Sequence, residues 1–225
     1  HFNPVELAKT YQPYAAAISV LTEPEYFQGS YEYLAAVSQQ VNLPILCKDF
    51  FIDEQQVYRA RYFGADAILL MLSVLDDVQY QHLHAIADNL GLDVLTEVAN
   101  ETEMRRAAQL GARIIGINHR DLTDLSINPN RSHELAPYAP EGALLVAESG
   151  FSQHKDIRRC SDVVNGFLVG SALSAENDVD LACRKLLYGE NKVCGLTRAE
   201  DALNAHAAGA VFGGLIFAER SPRCI

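Results

Sequence analysis

Polar residues stand directly after several short apolar runs of this chain, at points where buried strands would end. They are Lys48 and Asp49, Thr96 and Glu97, Asn118, His119, Arg120 and Asp121, Glu148 and Ser149, and Gly170 and Ser171. An ammonium group and carboxylates can donate and accept protons, and a guanidinium can hold a carboxylate through two hydrogen bonds. A lone lysine after a strand is usually solvated, but such residues at equivalent positions of many strands predict an active site.

Glycines accompany two of these strand ends. "ESG" (148–150) and "GSA" (170–172) place Gly150 and Gly170 where backbone N–H groups could approach an anion closely. Tight turns would explain either glycine alone. Both together, after neighbouring strands, predict a phosphate site.

The apolar runs have the length and composition of buried strands, and the segments between them have helical spacing. The runs cover residues 16–22, 44–50, 66–72, 93–98, 113–118, 143–149, 166–172, 192–197 and 211–217. Several helical segments end in a glycine suited to a left-handed C-cap, namely Gly64, Gly91 and Gly111. This alternation predicts an α/β fold with a parallel sheet. A doubly wound sheet also fits the pattern, but seven consecutive units favour a (β/α)8 TIM barrel.

The two ends of the chain do not fit one complete barrel. Residues 1–15 predict a helix with Asn3 as N-cap and Pro4 in its first turn. If residues 16–22 form the second strand, then 166–172 form the eighth, and the first lies before residue 1. A closing helix comes next, with Leu181, Leu186 and Leu187 on its buried side. We therefore expect residues 1–189 to be a barrel lacking its first strand, and residues 190–225 to be the truncated start of a second (β/α)8 barrel.

Composition excludes several classes of protein. The chain has 225 residues, 49% of them hydrophobic, and a net charge of −11 that would repel nucleic acid. No apolar stretch is long enough for a membrane span, and no secretory signal is visible. Five scattered cysteines without C-x-x-C spacing predict neither disulfides nor a metal site. We expect a cytoplasmic monomer that binds a small anionic substrate in one positively charged pocket.

The motifs match a known enzyme family. "LTEPEYFQGS" (21–30), "ILCKDF" (45–50), "LTEV" (95–98), "ESGF" (148–151) and "GFLVGSAL" (166–173), in this order, resemble indole-3-glycerol phosphate synthase over residues 1 to about 189. "ENKVCGLTR" (190–198) and "GGLIFAERSPRCI" (213–225) resemble the start of phosphoribosylanthranilate isomerase. The resemblance implies a fusion of two barrels, cut at both ends.

The resemblance implies a cofactor-free reaction. The synthase closes an indole ring on 1-(2-carboxyphenylamino)-1-deoxyribulose 5-phosphate, a sugar phosphate, with loss of CO2 and water. Lys48 would protonate the substrate carbonyl oxygen as the ring carbon attacks. Glu97 would accept or shuttle a proton in the later dehydration.

The resemblance also implies how the substrate is held. Asn118 and Arg120 would orient its anthranilate part, and Glu148 and Ser149 its ribulose hydroxyls. Gly150, Gly170 and Ser171 would hold the phosphate, and Phe27 and Phe50 would pack against the aromatic ring, although a core position explains these two equally well. His119 stands where the family often has Asn. We assign it no catalytic role and expect it at the surface or behind the substrate-contacting residues.

The family's first-strand E-x-K-x-x-S-P-S stretch is missing from this chain. That absence leaves part of the acid–base and carboxylate-binding groups unaccounted for. In the second unit, Cys194 matches the isomerase's general base and Arg223 a substrate-contacting arginine, although a cysteine there could equally be a small buried hydrophobe. The isomerase's acid Asp is missing too, so we expect no isomerase activity from residues 190–225 alone.

Two hypotheses from other classes stay open. A Schiff-base aldolase on a phosphate-binding barrel would use Lys48 as nucleophile. Alternatively, the chain as given is catalytically incomplete and serves as a folded remnant or interaction module, because a barrel that lacks one strand exposes two sheet edges.

Overall fold

A seven-stranded parallel sheet forms the centre of the protein in the computed structural model, which describes residues 3–225. The strands pair in chain order, so each hydrogen-bonds to the one before it. They are β1 (Ile18–Leu21), β2 (Ile45–Lys48), β3 (Ala67–Met71), β4 (Asp93–Val98), β5 (Ile114–Asn118), β6 (Leu144–Glu148) and β7 (Gly166–Leu168). The predicted parallel α/β architecture is confirmed, and a sheet in strict chain order excludes the doubly wound alternative, whose strand order reverses.

Helices connect the strands. They are α1 (Pro4–Tyr11), α2 (Tyr31–Ser38), α3 (Glu54–Tyr62), α4 (Asp77–Asn89), α5 (Glu101–Gln109), α6 (Arg131–Leu135), α7 (His154–Cys160), α8 (Ser171–Ser174) and α9 (Val179–Tyr188), with a 3-10 turn at Ala136–Tyr138. Within residues 3–225, none of the helices combines the length and apolarity that crossing a bilayer would need.

Local sequence sets the helix ends. The Asn3 side chain accepts hydrogen bonds from the backbone N–H groups of Val5 and Glu6, and Pro4 opens α1, as predicted. Asp76 and Gln79 form a reciprocal capping box at the start of α4. The three predicted C-cap glycines have left-handed φ values of 97°, 68° and 74°, in the order Gly64, Gly91 and Gly111. A left-handed glycine therefore ends each of these three helices before the next strand begins.

The middle strands β3, β4 and β5 are buried on both faces of the sheet, and alternate residues of each strand point to opposite faces. One face packs against the helices in a large cluster that includes Ile68 and Leu70 of β3 and Ile115 and Ile117 of β5. The other face forms a smaller inner cluster. Its members come from β2 to β7 and are Leu46, Ala67, Leu69, Met71, Leu95, Ile114, Val146 and Leu168, with Phe50 packed on top. Because strands from both halves of the sheet meet in this cluster, the sheet is curled like part of a barrel wall.

A second, smaller unit follows α9. It consists of β8 (Lys192–Cys194), α10 (Ala199–Ala207) and β9 (Phe212–Gly214), and its two strands pair in parallel with Lys192 opposite Phe212. The predicted strand, helix and strand are therefore confirmed as elements. They form their own two-stranded sheet and do not extend the seven-stranded one.

Helix α9 joins the two units. Leu186 is buried and Leu181 half-buried, but Leu187 is 40% exposed, so the prediction that it is buried is wrong. Adjacent helical residues point about 100° apart, and Leu187 therefore turns out of the contact that Leu186 makes. Arg184 is only 7% exposed, and its Nη2 donates to the carbonyl oxygens of His206 and Ala210 at 2.8 Å each. A charged side chain of the first unit thus caps the C-terminal end of α10.

Replacing Arg184 by Met should lower the free energy of unfolding by about 2 kcal/mol, because two carbonyl oxygens in a closed contact lose a charged donor. Chemical denaturation of the full-length protein measures this. The matched control is Lys185→Met, the next residue of α9, whose ion pair with Glu190 is exposed and should contribute less than about 1 kcal/mol. Equal losses in the two variants would contradict the capping role of Arg184.

Candidate active site

Lys48 lies between two carboxylates at the carboxyl end of the sheet. Its Nζ is 3.7 Å from Oε2 of Glu97 and 3.8 Å from Oε2 of Glu148. The Lys48 side chain is 25% exposed, and those of Glu97 and Glu148 are 3% and 2% exposed. Each residue is the last or next-to-last of its strand. Each also lies two positions after an inward-facing residue, Leu46, Leu95 or Val146, and therefore faces inward as well. The three side chains that the sequence placed on one rim therefore do meet.

The meeting depends on the curl of the sheet. Strands β2 and β6 are four strand positions apart, which in a flat sheet would separate their backbones by about 19 Å. The Lys48 and Glu148 side chains could not span that gap. Curling brings them within ion-pair distance, so that three charges far apart in the sequence form one cluster.

Asn118 completes the cluster. It is buried, and its Nδ2 donates to Oε1 of Glu97 at 3.1 Å. Its side-chain oxygen accepts from the backbone N–H of Arg120 at 3.0 Å. In the register of the sheet, Asn118 stands opposite Glu148. The amide therefore orients one carboxylate while tying the start of the following loop to the strand.

Glu148 is the most perturbed group of the site. Burial raises its pKa to about 8, repulsion from Glu97 adds to the rise, and the Lys48 ammonium opposes it. Among the buried side-chain polar atoms of residues 3–225, its Oε1 is the one that lacks a hydrogen-bond partner. Near neutral pH the carboxyl therefore tends to keep its proton. Such a group can act as a proton donor as well as an acceptor.

Gly116 makes room for Glu148, and the sequence analysis missed it. A Cβ atom on this glycine would lie 1.9 Å from Oε1 of Glu148, well inside contact distance. A glycine within a strand often marks such a close approach. "RIIGIN" (113–118) carries that pattern, because Gly116 interrupts a run of β-branched residues on the same strand as Asn118.

His119 is not at the surface, so that part of the expectation is wrong. It is 1% exposed, its Nε2 lies 2.6 Å from Oγ of Ser132, and its ring packs against Phe151 at 5.0 Å between centroids. Because Asn118 faces inward, its neighbour faces the helices, and His119 fills the space behind the cluster. Burial first, and then the positive charge of Arg131, lower its pKa from 6.5 to about 4.

Arg120 and Ser149 occupy the loops that leave this rim. Nη1 of Arg120 donates to the carbonyl oxygen of Leu125 at 3.0 Å, so part of its guanidinium holds its own loop. Ser149 follows Glu148 with a φ of 67°, a left-handed conformation that is uncommon for residues other than glycine. Strain of this kind is often found at functional sites. Their predicted contacts with substrate remain predictions.

The predicted phosphate-binding residues lie at the same rim after β6 and β7. Gly150 has a φ of 80°, and a Cβ there would meet the Ile127 side chain at 2.7 Å, so the turn itself calls for glycine. Gly170 precedes α8, whose first residue is Ser171, and both are exposed. Backbone N–H groups at such a place can bind an anion. Phosphate binding by these three residues stays a prediction.

The two predicted aromatic residues contact each other. The rings of Phe27 and Phe50 are 5.8 Å apart between centroids, and Tyr26 meets Phe50 edge-on at 6.5 Å. Phe50 is half-buried on the inner cluster, whereas Phe27 is 49% exposed. Phe27 therefore does not lie in the core. Contact between a ligand and the rings of Phe27 and Phe50 remains a prediction.

Cys194 and Arg223 come together in the second unit. Nη1 of Arg223 donates to the backbone carbonyl oxygen of Cys194 at 3.3 Å. Cys194 is exposed at the end of β8. The alternative that it is a small buried hydrophobe is therefore wrong within residues 3–225. Across residues 3–225, no group of three or more His, Cys, Asp or Glu side chains is arranged to hold a metal ion.

These features define a class of protein. A curled parallel sheet whose charged groups gather at the carboxyl ends of the strands is the arrangement of enzymes with the TIM-barrel architecture. A family model described as indole-3-glycerol phosphate synthase matches residues 1–186. The chain belongs to the indole-3-glycerol phosphate synthase family, and the resemblance found in its motifs is confirmed.

Curated relatives match the chain over its whole length. It is 56% identical over 225 residues to the tryptophan biosynthesis protein TrpCF of Yersinia pestis, of which it covers 47%. It is 55% identical over 224 residues to that of Salmonella typhi and 50% identical over 228 residues to that of Haemophilus influenzae, covering 50% and 48% of them. The chain thus spans about half the length of these relatives.

His119 should make the protein sensitive to mild acid. Its pKa is lower in the folded than in the unfolded state, so the stability it contributes is present above about 6.5 and is lost as the pH falls toward about 4. Over that window one extra proton bound on unfolding gives a slope of roughly 1.4 kcal/mol per pH unit.

The variant His119→Gln keeps a group that can bond to Ser132 but does not titrate. Its free energy of unfolding, measured by denaturation between pH 7 and pH 4, should therefore fall less steeply than that of the wild type. Identical slopes would show that His119 is not held neutral by its surroundings.

Proposed function

We propose that this chain carries the indole-3-glycerol phosphate synthase activity, converting 1-(2-carboxyphenylamino)-1-deoxyribulose 5-phosphate to indole-3-glycerol phosphate, CO2 and water. The observation that carries the proposal is the cluster of Lys48 between Glu97 and Glu148 at the carboxyl ends of three strands. Family membership over residues 1–186 supports the same reaction. The relatives are described as tryptophan biosynthesis proteins, and we assign this chain to that process.

Lys48 is the proton donor of the first step. As the ring carbon bonds to the substrate carbonyl carbon, negative charge develops on the carbonyl oxygen, and an ammonium group can deliver a proton there. The carboxyl groups of Glu97 and Glu148 flank this ammonium within 4 Å. The substrate's carboxylate then leaves as CO2, and its bonding electrons return to the aromatic ring.

Glu97 serves the dehydration that completes the reaction. The new hydroxyl leaves with a proton as water, and a second proton is lost from the neighbouring atoms of the forming ring. Glu97 is nearly fully buried and fixed by Asn118, so it can accept that proton in a site with little competing water. Glu148, with its raised pKa, can return a proton or hold the ribulose hydroxyls together with Ser149.

The remaining residues bind the substrate. Phe27 and Phe50 pack against its aromatic ring, and Asn118 and Arg120 orient the anthranilate part. Gly150, Gly170 and Ser171 hold the phosphate at the loops after β6 and β7, the usual place for phosphate in this architecture. The substrate is a small sugar phosphate, and no cofactor is required by this scheme.

The geometry favours this scheme over a Schiff-base aldolase. A lysine that attacks a carbonyl must first be a neutral amine, usually because it is desolvated or lies near other cations. Lys48 instead lies within 4 Å of two carboxyl groups. Borohydride reduction in the presence of a keto-sugar phosphate should therefore leave Lys48 unmodified.

We also propose a division into two barrels. Residues 1–189 belong to the synthase barrel, in which one further strand pairs with the free edges of β1 and β7 to complete (β/α)8 closure. Residues 190–225 are the first β-α-β segment of a phosphoribosylanthranilate isomerase barrel, with Cys194 as general base and Arg223 as a substrate contact. We place the fused protein in the cytoplasm, which suits its free cysteines, and propose that it is monomeric.

Replacing Lys48 by Ala in the full-length protein should lower turnover by at least about 100-fold, because the carbonyl oxygen loses its proton donor. Fluorescence of the indole product measures the rate, and circular dichroism confirms that the fold survives. Lys155→Ala removes an exposed lysine of α7 and should retain wild-type turnover. A Lys48→Ala protein with near-normal rates would remove Lys48 from the mechanism.

In the full-length fused protein, replacing Cys194 by Ser should leave indole-ring closure unchanged and lower isomerisation by at least about tenfold. The reason is that the two sites lie on separate sheets. Parallel assays of the two reactions test this. Loss of both activities in the folded variant would contradict the proposed division.

A further inference from the structure

The segment between β1 and α2 is organised around one buried carboxylate. The backbone N–H groups of Glu25 and Tyr26 donate to the Glu23 side chain at 2.8 and 2.6 Å, and that of Phe27 donates at 3.1 Å. Glu23 is only 9% exposed. Burial raises its pKa, but the three backbone N–H groups lower it further, so the net shift is downward and the group stays ionised at neutral pH.

The same segment is anchored to β1 behind the carboxylate. The backbone N–H of Gly29 donates to the carbonyl oxygen of Glu23 at 2.8 Å, and that of Ser30 to the carbonyl oxygen of Leu21 at 3.2 Å. A Cβ atom on Gly29 would lie 2.3 Å from the Leu21 oxygen, so only glycine lets the chain approach. Residues 22–30 therefore form an aromatic loop that backbone and side-chain hydrogen bonds close on itself.

The aromatic loop places Phe27 against Phe50, which follows Lys48 by two residues. Phe27 supplies the third N–H group held by Glu23, and its ring lies against Phe50, at an angle of 31°. Phe50 is two residues beyond Lys48 and packs on the inner cluster of the sheet. Because the Phe27 side chain is 49% exposed, part of its apolar ring is open to a ligand.

We propose that Glu23 is a positioning residue, whose carboxylate fixes the aromatic loop so that Phe27 and Phe50 form one wall of the substrate pocket and receive the ring of the substrate. The inference rests on the proposed function, since it takes the aryl ring of that substrate as the ligand. Glu23 does not touch the reacting atoms. It acts through the backbone of residues 25–27, whose three N–H groups converge on its carboxylate.

The test separates binding from chemistry in the full-length protein. Glu23→Ala should raise KM by about tenfold and change kcat by less than about threefold, because the wall is lost while Lys48 and its carboxylates remain. Glu23→Gln keeps one carbonyl oxygen as acceptor and should fall between Glu23→Ala and the wild type. Glu25→Ala is the matched control, since its side chain is exposed and its N–H group is retained, and it should behave as the wild type.

A double-mutant cycle identifies the route of the effect. If Glu23 acts by placing Phe27, then Phe27→Ala should raise KM on its own and add little to Glu23→Ala. Additive effects of the two changes, or a fall in kcat without a rise in KM, would overturn the positioning role. If Glu23→Ala does not fold, Glu23→Gln carries the same cycle.

Two further results separate this inference from the function on which it rests. A folded wild type without turnover of the substrate would overturn the proposed function and the ring assignment with it. An active wild type whose Glu23 variants keep normal KM values would overturn the positioning role alone. Hydrogen exchange of the Tyr26 and Phe27 N–H groups, which should quicken at least about tenfold in Glu23→Ala, tests the loop without reference to activity.

Discussion

The ion cluster of Lys48, Glu97 and Glu148 depends on the curl of a parallel sheet. The three residues are separated by 49 and 51 positions along the chain and come from alternate strands, β2, β4 and β6. Only a wall that bends can bring such strands to face one another across an interior. The inner apolar cluster beneath them enforces the bend, because its members from both halves of the sheet bury one another. The packing of the inner apolar cluster therefore positions the charged groups at the carboxyl ends of the strands.

The charge balance of the cluster explains why it can be buried at all. One ammonium facing two ionised carboxylates would leave a net negative charge with little solvent, which is costly. The raised pKa of Glu148 relieves that cost, since a protonated Glu148 leaves one cation opposite one anion. Asn118 then satisfies the second oxygen of Glu97. The arrangement resembles other acid–base sites in which neighbouring carboxyl groups differ in protonation because their surroundings differ.

Much of this could be predicted from the sequence, for identifiable reasons. Apolar runs alternating with helical segments predicted the parallel sheet, and polar residues at run ends predicted that Lys48 and Glu97 share a rim. The predicted position of His119 was partly wrong. Strand alternation could have corrected it, because the residue after the inward-facing Asn118 must face the helices. Gly116 was missed because the glycine in "RIIGIN" indicates a close approach but does not identify its partner, Glu148 of the neighbouring strand.

Glu23 was overlooked for a related reason, since its partners are backbone N–H groups and not side chains with a recognisable pattern. Turns of this kind depend on three-dimensional closure as much as on residue type. The order of the strands also bears on how the chain folds during its synthesis. Because each strand of the sheet pairs with the one made just before it, a chain emerging from the ribosome can add β-strands one at a time to an existing edge. The Lys48 cluster, by contrast, cannot assemble until β6 has been synthesised, so the reactive centre forms only after strands β1 to β5 have been made.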